Sequence, residues 1–182
     1  MTKSEYFKQR GQKPNVLDYA ESRKMTNKSE RIISLILAGI LLLTIINSTW
    51  FFLGIAKVSF NQWIVFNACA PSGIVYVLGL LFYKQTSNRM WLSIAVVPMM
   101  FFGTMGLFVF PWNTPMDLLV QFSHFIMTLN IAWGLWLILK NKDLKALGYG
   151  LLASILVFIP FIAFTQAYCR EHAGEVMKYL NL

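Results

Sequence analysis

The chain has 182 residues, of which 57% are hydrophobic and only 13% are charged. Ordinary soluble domains contain about a quarter charged residues, so this composition excludes that class. The formal net charge of +8 does not indicate a nucleic-acid partner, because the basic residues are concentrated in a few polar segments between long apolar ones. The composition predicts an all-α bundle of helices in a membrane.

Five apolar runs follow one another along the chain, and each is long enough to cross roughly 30 Å of bilayer hydrocarbon as an α-helix. Their bounds are 32–56, 62–83, 90–111, 117–139 and 146–168. The runs lack the alternation of polar and apolar residues that marks a strand of a membrane barrel, so helices are predicted. The first run is too long for the core of a signal peptide and is expected to remain as an uncleaved anchor.

The lysine and arginine residues predict how the bundle is oriented. Eight lie in residues 1–31, two in the connection after the second run and three in the connection after the fourth, against three elsewhere. The positive-inside rule then places the N-terminus in the cytoplasm and the C-terminus outside. We expect a multi-pass protein of the cell membrane, with a basic cytoplasmic tail (1–31) and a short extracytoplasmic tail (169–182).

The fourth run carries polar residues on one face of its helix. Asp117, Gln121, His124 and Thr128 fall within about 60° of one another on a helix that turns about 100° per residue. The next residues on that face are apolar, which confines the polar stripe to the outer half of the bilayer. Asp117 follows Pro115 and is expected to cap the helix; its alternative role is to orient His124.

The second run offers another polar face, which includes Cys69 and Ser72. Pro71 is expected to kink this helix, because its ring clashes with the carbonyl of Asn67 and leaves that carbonyl free. Backbone N–H groups freed near the kink could help to hold an oxyanion. The remaining polar candidates of the outer half, as ligand contacts or as links between helices, are Asn47, Asn67, Ser72, Thr104 and Gln166.

Cys69 and His124 are predicted at matching depth, each roughly 10 to 13 Å from the outer surface at a rise of about 1.5 Å per residue. If their faces meet, a thiol and an imidazole lie within hydrogen-bonding reach, the arrangement that activates a cysteine nucleophile. The alternative is structural, because a cysteine in a membrane helix is more often a small packing residue and a histidine can simply join two helices.

Neither a cofactor nor a metal ion is predicted. Cys169 and His172 have a Cys-x-x-His spacing, but too few further ligands lie near them for a metal site. A disulfide between Cys69 and Cys169 is not expected, because Cys169 is predicted at the membrane surface and Cys69 within the bilayer.

The stretch from Asn67 to Lys142 resembles the YwaF-type bacterial integral membrane proteins and their eukaryotic relatives, which act as ether-lipid acyltransferases. The shared features are Asn-Ala-Cys69-Ala-Pro-Ser early in one span, a glycine-bearing span that ends at Pro111, and Phe-Ser-His124 opening the next. The resemblance covers less than half of the chain. It implies that Cys69 is a nucleophile, that His124 is its base and that the substrates are membrane lipids.

The segment Cys69-Ala-Pro-Ser-Gly73 is also similar to the cysteine motif of exosortase-type transpeptidases, which use an intramembrane cysteine and histidine on the outer side. The arginine that those enzymes require has no counterpart between Cys69 and His124 except Arg89, which is predicted on the cytoplasmic side.

These observations favour a lipid-active enzyme, catalysing acyl transfer or hydrolysis, with membrane lipid as its partner. The alternative is a non-enzymatic binding or transport protein for a small amphipathic ligand, an ion or a proton, with Asp117, Gln121 and His124 as contacts. A third hypothesis is an accessory subunit whose polar groups only hold helices together, and a homo-oligomer is left open. The distance between the Cys69 sulfur and the His124 ring discriminates among these functions.

Overall fold

The protein is a bundle of α-helices with two π-helical segments, and the computed structural model describes residues 28–140, 142–172 and 174–175. The α-helices in chain order are α1 (Lys28–Thr49), α2 (Phe60–Phe66), α3 (Cys69–Thr86), α4 (Met90–Met99), α5 (Gly106–Val109), α6 (Pro115–Leu139) and α7 (Leu144–Glu171). The π-helical segments are Trp50–Ile55, which continues α1, and Met100–Thr104, which joins α4 to α5.

The predicted apolar runs all correspond to helices, and four of them are continuous helices of membrane length. Four continuous helical stretches are long and apolar enough to cross a membrane: Lys28–Ile55, Met90–Val109, Pro115–Leu139 and Leu144–Glu171. The remaining run forms a bent pair, α2 and α3, whose axes meet at 85°. The prediction of a helical membrane bundle is therefore confirmed. Of the two predicted tails, residues 1–27 and 176–182 lie outside the described residues.

The bend between α2 and α3 lies where Pro71 predicts a kink, and that prediction is confirmed. The prediction of a free carbonyl at Asn67 is wrong, because this oxygen accepts a hydrogen bond from the N–H of Ala70 at 2.9 Å. The N–H of Ser72 likewise donates to the carbonyl of Ala68 at 3.1 Å. The bend thus satisfies these backbone groups within its own turn, as a segment inside a membrane requires.

Helix α4 lies at the centre of the bundle and packs against α3, α6 and α7. A glycine lets α3 approach it closely, since a Cβ atom at Gly79 would lie 2.6 Å from the Cβ of Ala95. Pro98 lacks an N–H and leaves the carbonyl of Ile94 without its helical partner. The hydroxyl of Ser154 on α7 donates to that carbonyl at 2.9 Å, so the proline of one helix creates a docking point for another.

Helix α1 is joined to α6 by polar contacts at successive levels. The Asn130 Nδ2 donates to the carbonyl of Leu37 at 3.2 Å, and the Trp133 Nε1 donates to the hydroxyl of Ser34 at 2.9 Å. Such hydrogen bonds replace the hydrophobic driving force that is missing between helices in lipid. They fix the rotation of α6 about its own axis, which decides where its polar stripe points.

The same two helices are joined at the basic end by an ion pair between Lys140 and Glu30, whose side chain is only 9% exposed. Replacing Lys140 by methionine is expected to lower the free energy of unfolding by about 1 to 3 kcal/mol, because the nearly buried carboxylate loses its partner. The midpoint of thermal unfolding in detergent measures this effect. Lys142→Met, at an exposed position, is the control, and equal shifts in the two variants would contradict the prediction.

Candidate functional site

Cys69 and His124 lie at the same level of the bundle. Cys69 is 15 residues from Lys84 along α3, and His124 is 16 residues from Lys140 at the end of α6, so each is roughly 22 to 24 Å from the basic end. A hydrocarbon core of about 30 Å then places both in the half of the bilayer opposite the basic residues.

The two side chains are in contact. The Sγ atom of Cys69 lies 3.4 Å from Nε2 of His124, and it lies 3.1 Å from the carbonyl oxygen of Phe102. His124 is only 4% exposed. The polar faces of the second and fourth predicted spans therefore meet, and the predicted match in depth is confirmed. The thiol has one hydrogen and two acceptors for it, a backbone oxygen and an imidazole nitrogen.

The imidazole ring of His124 is held on two sides. The ring of Phe110 stacks against it with centroids 5.3 Å apart and planes inclined by 10°. The backbone of Gly106 occupies another side so closely that a Cβ atom there would lie 2.4 Å from both Nε2 and Cδ2 of the ring. These contacts restrict the ring to the orientation in which Nε2 faces the thiol.

The other ring nitrogen of His124, Nδ1, is buried and forms no well-aligned hydrogen bond within the described residues. The carbonyl of Val120, one helical turn earlier, is close enough to interact with the ring. A hydrogen on Nδ1 can point towards this carbonyl, which leaves Nε2 unprotonated and able to accept the thiol hydrogen.

The Phe102 carbonyl that contacts Cys69 belongs to the π-helical segment Met100–Thr104. This segment begins two residues after Pro98, which interrupts the hydrogen-bond ladder of α4. Single π-helical turns inside α-helices are frequent at functional sites, because they reorient side chains and carbonyls. This carbonyl could not be predicted from the residues, since an apolar run with one proline does not specify where a π turn forms.

Two further members of the predicted stripe support the ring from α6 itself. Thr128 donates its hydroxyl to the carbonyl of His124 at 2.9 Å, and it lies 3.4 Å from the hydroxyl of Thr104. Gln121 is 1% exposed, and its amide Nε2 donates to the carbonyl of Phe110 at 2.7 Å. Gln121 therefore anchors the residue that stacks on His124, whereas its own Oε1 has no hydrogen-bond partner among the described residues.

Asp117 acts as a helix cap. Its Oδ2 accepts hydrogen bonds from the N–H of Thr114 at 2.8 Å and of Asn113 at 3.2 Å, and its own N–H donates to the hydroxyl of Thr114. The predicted capping role is confirmed. Asp117 is half-buried and its carboxylate is used by the cap, so the structure does not bring it to His124 in the alternative orienting role.

The other polar candidates divide between the bend and the lipid-facing surface. Asn67 donates to the hydroxyl of Ser48 on α1 at 2.8 Å, and Ser72 donates to the carbonyl of Cys69 at 2.7 Å. Both stabilise the bend that carries the thiol. Asn47 is exposed on α1 and is not brought to the site.

A cavity of about 290 Å³ opens beside Cys69 between the bend, the π-helical segment and α7. Its lining is mainly apolar: Val65, Phe66, Ala68, Cys69, Phe101, Phe102, Met105, Gly106, Val109, Phe110, Thr165, Gln166 and Cys169. Gln166 is thereby brought to the site, as predicted from its place in the outer half. The aromatic residues were missed because they are indistinguishable in sequence from those that simply face lipid.

Cys169, near the end of α7, is half-buried and lines this same cavity. Both cysteines are free thiols. His172 stacks on the ring of Tyr168, with centroids 4.0 Å apart. Within the described residues, no three His, Cys, Asp or Glu side chains are grouped closely enough to hold a metal ion.

No protein-family model, curated protein or solved structure matches this chain. Its function is therefore inferred from the chemistry of the site.

Proposed function

We propose that the protein is a membrane enzyme that transfers or hydrolyses the acyl group of a lipid ester through a thioester on Cys69. The observation that carries the proposal is the 3.4 Å contact between the Cys69 Sγ and the His124 Nε2 beside an apolar cavity. A thiol within hydrogen-bonding distance of a histidine is the pairing that produces a thiolate nucleophile.

The reaction has two balanced halves. In the first, His124 Nε2 takes the thiol proton, Sγ attacks the ester carbonyl, and the bond to the leaving alcohol breaks while the imidazolium returns its proton to that alcohol. In the second, a lipid hydroxyl or water gives its proton to His124 and attacks the thioester, and the C–S bond breaks. The thiolate then recovers the proton from the imidazolium, so that the resting pair is restored.

The position of Cys69 at the first residue of α3 supports the same chemistry. This helix has 18 residues, and Cys69 lies at its positive dipole end, which favours a thiolate and a nearby oxyanion. Backbone N–H groups freed by the kink were expected to help. The N–H groups of Ala70 and Ser72 form hydrogen bonds inside the turn, so at this bend the helix dipole is what stabilises the thiolate and the oxyanion.

The cavity supports a lipid as substrate. Its walls include Phe101, Met105 and Val109, side chains suited to an acyl chain, and they belong to the membrane-spanning part of the bundle. A lipid can then reach the sulfur sideways from the bilayer. The resemblance to ether-lipid acyltransferases of the YwaF type assigns the same roles to Cys69 and His124 and agrees with this proposal.

The test is to trap the thioester on the full chain in detergent or nanodiscs. We expect an activated fatty acyl ester, such as p-nitrophenyl decanoate, to add one acyl group, detected by intact mass and removed by neutral hydroxylamine. The adduct should map to Cys69, disappear in Cys69→Ala and persist in Cys169→Ala, the matched control that lines the same cavity. An adduct on Cys169 alone, or none on either thiol, would falsify the proposal.

A second candidate function is non-enzymatic binding of a small polar or amphipathic ligand, or of a proton. The observation that favours it is the buried Oε1 of Gln121, which has no hydrogen-bond partner among the described residues, near Nδ1 of His124, which has no well-aligned one. This function predicts that Cys69→Ser is harmless, whereas His124→Ala abolishes binding. Trapping of a thioester discriminates between the two, because binding alone forms no covalent adduct.

A further inference from the structure

A second cavity lies at the opposite, basic end of the bundle and has a volume of about 460 Å³. It is formed by the connection between α3 and α4 and by the start of α7. Its lining residues are Thr86, Ser87, Asn88, Arg89, Met90, Asp143, Ala146 and Tyr149. None of them belongs to the Cys69 cavity, so any ligand here serves a separate role.

The cationic side chain among the residues that line this cavity is an arginine with unused hydrogen-bonding capacity, and Asp143 is the anionic one. Arg89 is 5% exposed, and its Nε is buried with no hydrogen-bond partner among the described residues. Its ion pair with Asp143 is long, with 3.6 Å between Nη1 and Oδ2. A guanidinium carries five N–H donors, and burying it with donors unsatisfied costs free energy. A ligand in the cavity that accepts hydrogen bonds from the guanidinium would recover part of that cost.

Two helix N-termini converge on the same cavity and add to its positive potential. Met90 and Ala146 line it, one opening α4 and the other in the first turn of α7. The N–H of Met90 donates to Oδ1 of Asn88 at 3.0 Å, and the N–H of Ala146 donates to Oδ1 of Asp143 at 3.2 Å. The Asp143 carboxylate therefore occupies the position at the start of α7 where a bound anion would lie, and it competes with such an anion for Arg89.

The geometry points to a binding site for a phosphate group, presented by the headgroup of an anionic phospholipid or as free phosphate. The planar guanidinium fork suits phosphate oxygens, and the hydroxyls of Thr86, Ser87 and Tyr149 line the same space. The cavity lies at the end of the bundle where membrane headgroups are expected, and the exposed Lys142 and Lys145 flank Asp143 in the chain.

Native mass spectrometry of the full chain tests this site. The protein is equilibrated with equal amounts of phosphatidylglycerol and phosphatidylcholine of the same acyl chains, and the ratio of the two bound lipids is measured. We expect wild-type protein to retain the anionic lipid preferentially and Arg89→Gln to lower the ratio about tenfold, the effect of losing charge-assisted hydrogen bonds. Arg31→Gln, which removes an exposed charge near the same end, is the matched control and should leave the ratio unchanged.

Asp143→Asn gives an independent and opposite expectation. Asparagine still caps α7, but the competing negative charge is gone, so the ratio should rise a few-fold. In a parallel experiment, the unfolding midpoint is measured with and without inorganic phosphate. If phosphate raises the midpoint, with a smaller rise in Arg89→Gln and a larger one in Asp143→Asn, and no lipid preference is seen, the free anion is the ligand. Equal losses in Arg89→Gln and Arg31→Gln overturn the site in favour of general surface charge. If Arg89→Gln does not fold, the result for Asp143→Asn decides. The proposal is overturned if this variant shows an unchanged or lower ratio of bound anionic to zwitterionic lipid and its stabilisation by phosphate is also unchanged.

Discussion

Replacing His124 by glutamine is expected to slow acylation of Cys69 by about 10²- to 10⁴-fold, because the imidazole is the group that takes the thiol proton. Glutamine keeps a polar side chain at the position but cannot act as a base. The effect is measured as the rate at which the acyl adduct accumulates, followed by intact mass at a fixed pH and a fixed concentration of the activated ester.

The control for this variant is His172→Gln, because His172 is the other histidine of the chain and stacks on Tyr168 rather than contacting the thiol. Its acylation rate should stay within about twofold of wild type, since it lies outside the site. The unfolding midpoints of both variants show whether the fold is retained. An unchanged rate in a folded His124→Gln protein would mean that the thiol reacts without a base, and the proposed pairing would be wrong.

The fold could be predicted from the sequence because lipid imposes simple requirements on a chain. A run such as 146–168 must form a helix to satisfy its backbone, and its length must match the hydrocarbon core, so its bounds differ from those of α7 by only a few residues. The capping role of Asp117 was predictable for a similar reason. Its place after Pro115 and the bonds it makes depend on a few neighbouring residues alone.

The site was only partly predictable, because it depends on contacts between distant segments. Spacing along the chain places Cys69 and His124 at one depth, but the rotation of α6 is fixed by hydrogen bonds such as that from Asn130 to Leu37. The contact of Cys69 with the Phe102 carbonyl depends on a π-helical turn that no residue pattern specifies. These features follow from packing, which local propensity does not encode.

Arg89 illustrates another limit of the sequence. From the sequence, Arg89 was identified only as one of the basic residues in a short connection, which predict the orientation of the protein in the membrane. In the structure it is buried beside a cavity and only loosely paired with Asp143. Arg89 is buried because α4 and α7 both begin at this point. This arrangement cannot be predicted without knowing which helices are neighbours.

Gly106→Ala is expected to reduce acylation of Cys69 by about 10²-fold, even though the substitution adds one methyl group and touches neither reacting atom of the substrate. The added Cβ would lie 2.4 Å from Nε2 of His124, so the ring must move, and Phe110 blocks one direction of escape. A displacement of about 1 Å is enough to break the alignment on which proton transfer depends. The rate of adduct formation is again the measurement.

Two other glycines separate this steric effect from a general effect of alanine. At Gly148 an added Cβ meets no atom within 4 Å, so Gly148→Ala should leave the rate unchanged. At Gly103, in the same π-helical segment, an added Cβ would lie 2.8 Å from the terminal methyl of Met127, which a flexible side chain can withdraw. It would also lie 3.0 Å from the Met127 Cβ, so the segment must shift by a few tenths of an ångström, but none of these nearest atoms belongs to His124. If Gly103→Ala slows the reaction as much as Gly106→Ala, the cause is distortion of the segment. If only Gly106→Ala slows it, the orientation of the His124 ring is what the glycine protects, and the base role of His124 gains support from a residue that carries no chemistry of its own.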